Sequence, residues 1–67
     1  MHMNEFRRSL SPGEKVRFCD LKKFVVGTVK VVTGTLVTIE VEEDGKVKTY
    51  QEHRKHVYPP KEPEWWA

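Results

Sequence analysis

The sequence predicts an all-β domain in which five short strands curl into a small barrel, with a short helical turn before the last strand. Three observations lead there. Between Lys15 and Tyr58 the chain is rich in Val, Thr, Ile, Phe and Tyr, side chains suited to a pleated surface. Apolar residues in that span recur at every second position in short runs. Turn residues separate the runs, and no stretch carries the period of a long helix.

With 67 residues the chain is long enough for one small domain. Such a domain buries only about 60% of the surface its unfolded chain exposes, so a modest stability is expected. The single cysteine, Cys19, excludes an internal disulfide. A lone thiol suits a reducing cytosol, and a cytoplasmic location is expected. No apolar run approaches the roughly 20 residues of a membrane span and no signal peptide is visible, so no membrane partner is expected. The opening MHM looks like a cloning scar before a native start at Met3, and His2 carries no weight. Lys plus Arg number 12 and Asp plus Glu 10, a net charge of +2. That balance permits nucleic-acid binding without announcing it.

Residues 1–11 form an N-terminal arm in which Phe6 and Leu10, four apart, share one face of a short helix. Ser11-Pro12-Gly13 stops it. In KVRFCD, Val16 and Phe18 face one way and Lys15, Arg17 and Cys19 the other. VVGTVKVV places Val25, Gly27, Val29 and Val31 on one face. TLVTIEVEE does the same with Val37, Ile39 and Val41, and KVKTYQ with Val47 and Thr49.

The turns follow from matching these faces. EDGK contains Asp-Gly, the signal of a two-residue hairpin loop. That loop sets Val41 against Lys48 and Val47 against Glu42. A three-residue loop, Glu43-Asp44-Gly45 with Gly45 left-handed in a bulge, instead pairs Val41 with Val47, Ile39 with Thr49, Glu42 with Lys46 and Glu40 with Lys48. Opposed residues share a face, so the three-residue loop is the expected one, with Lys48 and Tyr50 outward. A similar loop at Val32–Gly34 sets Val29 against Val37, Gly27 against Ile39 and Val25 against Val41. EHRKH then makes one tight helical turn. Val57 and Tyr58 resume an apolar strand until Pro59 blocks pairing. A barrel over residues 12–59 buries the apolar face and removes most open edges, leaving residues 60–67 as a Pro- and Trp-containing tail.

PGEKVRF, VVGTVKVV, TLVTIEVEEDGKVKTY, EHRKH and VYP in succession resemble the SH3-like small β-barrels, the group that includes KOW and Tudor-type modules. The resemblance is one of topology and punctuation from about Pro12 to Pro59. It implies strand, strand, hairpin, single helical turn and closing strand. The short loop DLKKF lacks the set of acidic residues with which peptide-binding SH3 domains engage Pro-rich ligands, and no Trp opens the third strand. Peptide binding of that kind is not expected.

QEHRKHVYPP raises the question of a site. A metal needs three or four converging ligands, and here Arg54 and Lys55 oppose a cation with no Cys or Asp nearby, so neither a metal nor a cofactor is expected. His53 and His56 have Glu52 adjacent and Cys19 elsewhere, but no nucleophile, base and pocket that converge, so no catalytic residue is assigned and the chain is not read as an enzyme. A solvated turn or a contact surface remains. Glu40 and Glu42 are expected to neutralise Lys48 and Lys46. The unpaired positive elements are then the arm, the LKK loop and the HRKH turn. The first reading is a binding module that contacts RNA or DNA through a basic rim of Arg7, Arg8, Lys22, Lys23, His53, Arg54, Lys55, His56 and Tyr58. The alternative is a protein-interaction or assembly subunit anchored by Phe24, Tyr50, Trp65 and Trp66. The aromatics also admit a cage for a cationic ligand, against which stands ordinary packing. Trp65 and Trp66 either fold back on the barrel or anchor a partner or a second copy, and the sequence leaves the oligomeric state open.

Overall fold

Val16 and Phe18 alternate with Lys15, Arg17 and Cys19, and this run is strand β1 (Lys15–Asp20) in the computed structural model, which describes residues 3–61. Strands β2 (Lys23–Thr33), β3 (Leu36–Glu43) and β4 (Lys46–His53) follow. A 3-10 turn over Arg54–His56 leads into the two-residue β5 (Val57–Tyr58), and a helix, α1 (Met3–Arg8), precedes the sheet. All pairings are antiparallel, and the order across the five-stranded sheet is β4-β3-β2-β1-β5. The all-β expectation holds, and the helical turn falls within EHRKH. The sheet is open, with β4 and β5 as its edges.

One face of the sheet carries the core. Val16, Phe18, Val29, Val37, Ile39 and Val57 are fully buried, and Val41 and Leu10 nearly so. Each such side chain contributes about 1.5–3 kcal/mol by leaving water. Phe18 and Tyr50 show how the sheet is shaped. They stand on β1 and β4, three strand spacings apart, or about 14 Å in a flat sheet. Their ring centroids lie 5.0 Å apart. The sheet therefore bends across its core face until its first and fourth strands touch. The Tyr50 hydroxyl also donates to Asp20 Oδ2 at 3.5 Å, a long bond. Gly27, opposite Val16, permits the bend, because a Cβ there would stand 2.5 Å from Ile39 Cγ2 and 2.8 Å from the Glu40 carbonyl oxygen.

Three register expectations are corrected. The β3–β4 loop is the two-residue Asp44-Gly45, which pairs Glu43 with Lys46, Val41 with Lys48 and Ile39 with Tyr50. Both loop residues have positive φ, 53° and 77°, as the type I′ turn that suits strand twist requires. Lys48 and Tyr50 thus share the core face, and Val47 is 59% exposed on the outer face. The opposition of Val41 and Lys48 is tolerated because β4 is an edge strand and Lys48 stays solvated. The alternative register would turn Tyr50 outward and forfeit its contact with Phe18.

The β2–β3 loop is likewise two residues, Gly34-Thr35, with Thr33 opposite Leu36. A bulge between Val29 and Val31 shifts the register, so Val29 pairs with Ile39 and Val32 with Val37. Lys30 is the extra residue. Beyond it Val32 packs on the core while Val31 is half-exposed, reversing the expected face of Val31. The ion pairs expected across the β3–β4 hairpin change with the register: Glu40 instead meets Lys30 at 3.7 Å, and Glu42 stands opposite Val47.

The arm is part of the packed structure. Phe6 packs against the core cluster and Leu10 belongs to it. The β1–β2 turn, Leu21-Lys22, has positive φ at both residues, 48° and 73°, although neither is Gly or Asn. Left-handed backbone costs about 1–2 kcal/mol for such residues.

Two stability outcomes are expected in urea melts. Gly27→Ala lowers stability by about 1–3 kcal/mol, because the methyl meets backbone as well as a side chain. Replacing Leu21-Lys22 by Asn-Gly raises stability by about 1–2 kcal/mol, because those residues adopt the same turn with little strain.

Candidate nucleic-acid interface

Three segments meet at one end of the sheet. Helix α1 brings Arg7 and Arg8, the β2–β3 turn brings Thr35, and the end of β4 with the 3-10 turn brings His53, Arg54 and Lys55. Together they line an open cleft of about 460 Å³. Among the described residues no carboxylate lines it. Five of the nine sequence-predicted contact residues are therefore gathered from opposite ends of the chain.

The cleft is built by backbone bonds as well as by charge. The Arg54 amide donates to the Thr35 carbonyl at 2.7 Å, and its Nη2 donates to the Gly34 carbonyl at 2.8 Å. Arg54 thus ties the 3-10 turn to the β2–β3 turn. Its Nε is buried without a hydrogen-bond partner, so the guanidinium is only partly satisfied by the protein. His53 caps the 3-10 turn: its Nδ1 accepts from the Lys55 amide at 3.2 Å. That bond uses the lone pair of Nδ1. The His56 ring stands 6.3 Å from the His53 ring, edge to face, but does not line the cleft.

Arg7 connects the cleft to the sheet. Its Nε donates to the Val57 carbonyl at 3.1 Å, and its guanidinium lies 5.0 Å from the centre of the Tyr58 ring. Tyr58 in turn meets Phe24 edge to face at 5.7 Å. The Arg17 guanidinium lies 4.6 Å from the centre of the Phe24 ring. Arg7, Tyr58, Phe24 and Arg17 form a run in which two touching rings are flanked by a cation at each end. Phe24 remains 54% exposed. Lys22 and Lys23 lie at the β1–β2 turn, beside Phe24 in sequence and away from the cleft lining.

Sequence reasoning missed Thr35 and Arg17. Nothing in the sequence marks Thr35, which joins the cleft only through the bend of the β2–β3 turn. Arg17 was accessible in principle: a two-residue β1–β2 loop puts Cys19 opposite Phe24, and hence Arg17 one diagonal step away on the same outer face. Of the residues proposed for protein contact, Phe24 is exposed and Tyr50 is packed against Phe18. Trp65 and Trp66 lie outside the described residues. Among the described residues no group of three or more His, Cys, Asp and Glu side chains is placed to hold a metal ion. A second cleft, about 210 Å³ on the outer face, has Glu40 and Glu42 in its wall and is unsuited to phosphate.

No family model, curated protein or solved structure matches the chain.

The two kinds of cleft residue separate by stability. Arg7→Ala, which loses a charged hydrogen bond and a ring contact, lowers unfolding free energy by about 1.5–3 kcal/mol, whereas Lys55→Ala stays within about 0.5 kcal/mol. His53→Ala loses the turn cap at about 0.5–1 kcal/mol, and His53→Asn, which keeps an acceptor, recovers most of it. Urea denaturation of the four variants measures these differences.

Proposed function

We propose that the chain is a non-enzymatic, SH3-like small-barrel module of the cytoplasm that contacts nucleic acid through the cleft between α1, the β2–β3 turn and the 3-10 turn. The observation that carries this reading is the convergence of Arg7, Arg8, Arg54 and Lys55 on one concave surface, with no carboxylate among the described residues of its wall. Positive charge gathered on one surface raises the local concentration of phosphate more than the same charge spread over a sphere. The net charge of the chain is only +2, so its arrangement and not its amount favours an anion. The barrel part of the reading is supported by the pairing of β5 with β1, by the single helical turn before β5, and by the bend that brings Phe18 to Tyr50. No described helix is long and apolar enough to cross a membrane.

The protein-contact reading keeps two observations in its favour, the exposure of Phe24 and an apolar outer-face patch. Val26 and Val47, 52% and 59% exposed, border the same outer-face groove. A partner held there would be lost on Val47→Lys with nucleic-acid binding intact.

Fluorescence anisotropy with a labelled oligonucleotide tests the nucleic-acid reading. Affinity should fall with salt, with a log–log slope of about 0.7–0.9 per phosphate neutralised. Arg8→Glu combined with Lys55→Glu should abolish binding at low salt, and Lys55→Ala alone should reduce the slope by about 1. Absence of binding at low salt, or binding indifferent to salt, would overturn the reading.

A further inference from the structure

Resting on the nucleic-acid reading, we propose that the site takes a single strand and not a duplex: the cleft holds backbone phosphate, and the outward face of Phe24 receives an unpaired base. Three observations carry this. The charged surface is concave. The cleft, about 460 Å³ and open to solvent, offers room for a single nucleotide unit. A B-form duplex is read by an element that projects into a groove, about 12 Å wide on the major side.

The second observation is an exposed aromatic beside the charge. Phe24 is 54% exposed on a strand whose neighbouring ring, Tyr58, is already covered by Arg7. Arg17 lies over the Phe24 ring and Tyr58 meets Phe24 edge to face, and with both contacts made more than half of the Phe24 surface still meets solvent. An aromatic ring open to solvent stacks on a base only when that base is unstacked from its own neighbours, which a duplex does not allow. Leaving such a ring exposed loses apolar burial that a small domain can ill spare, and stacking supplies a reason for it.

The third observation is continuity. Arg7 lines the cleft and also covers Tyr58, and Tyr58 touches Phe24. The phosphate cleft and the open ring are thus two ends of one run of contacts only two ring contacts long. Arg17 on the far side keeps the run positive where a strand would leave it.

The test compares a labelled single-stranded RNA or DNA oligonucleotide with a hairpin whose fully paired stem has the same sequence and stays closed at low salt, on the full chain and on three variants. The single strand should bind at least about tenfold more tightly than the duplex. Phe24→Leu should weaken single-strand binding by about 5- to 150-fold, the range for loss of one stacked base, and leave residual duplex binding unchanged. Phe24→Trp should retain the affinity, because it keeps a stacking face. Circular dichroism of the Phe24 variants should match the parent, since the ring is half-exposed. If the duplex binds as tightly as the single strand, or if Phe24→Leu is silent while Arg8→Glu with Lys55→Glu abolishes binding, the single-strand inference is overturned and the basic cleft stands. If neither nucleic acid binds, both fall together.

Discussion

The contact between Phe18 and Tyr50 is the constraint on which the rest of the structure depends. It joins the first and fourth strands across the core face, a distance that an unbent sheet could not close. Once it forms, Phe18 is fully covered, flanked across the ladder by Val25 and Val57. The bend demands a position without a Cβ where β2 passes over Ile39 and Glu40, and Gly27 supplies it. It also requires Tyr50 to face inward. That requirement fixes the register of β4 and explains why a charged residue, Lys48, stands opposite Val41. A weak pairing at a solvated strand end is a small loss beside the loss of an aromatic contact in the core.

The candidate site is a consequence of the same bend. Bending carries β4 and its following 3-10 turn round toward the helix, and β5 then returns to pair with β1 beside Arg17 and Phe18. The helix is held against β5 by Arg7 and against the core by Phe6 and Leu10. Residues about fifty positions apart in the chain come to share one cleft. Arg7 and Arg54 have structural and electrostatic roles at once: each bonds a carbonyl that organises the cleft and each adds charge to it. Lys55 and Arg8 bring charge on the rim. A binding surface assembled by its own structural arginines is preorganised, which reduces what a ligand must order on arrival.

Strand identity was legible in the sequence, and register was not. The alternation of Val16 and Phe18, or of Val37, Ile39 and Val41, marks a strand and its buried face regardless of what lies opposite. Choosing a loop length by matching apolar faces failed at Asp44-Gly45. The matching rule gives every residue on a face equal weight, whereas β4 is an edge strand where only Tyr50 seats firmly against the core. The local turn chemistry of Asp-Gly carried the truer signal. The bulge at Lys30 had no local mark at all, because VKVV alternates as well in one phase as in the other. The Leu21-Lys22 turn went unread for the opposite reason: neither residue favours the left-handed backbone it adopts.

What the sequence by itself determined is therefore the class of fold, the strand segments, the helical turn before the last strand, and the inventory of cationic and aromatic residues. These depend on periodicity and on residue type, which are local. What only the tertiary structure decided is which side chains share a surface. It brought Arg7, Arg8, His53, Arg54 and Lys55 into one cleft, set Lys22 and Lys23 apart from it, and moved Tyr50 from the surface to the core. The physical reason is that a bent sheet converts small register choices into large displacements. One residue of slip exchanges the two faces of a strand, and the bend then decides which ends of the chain meet.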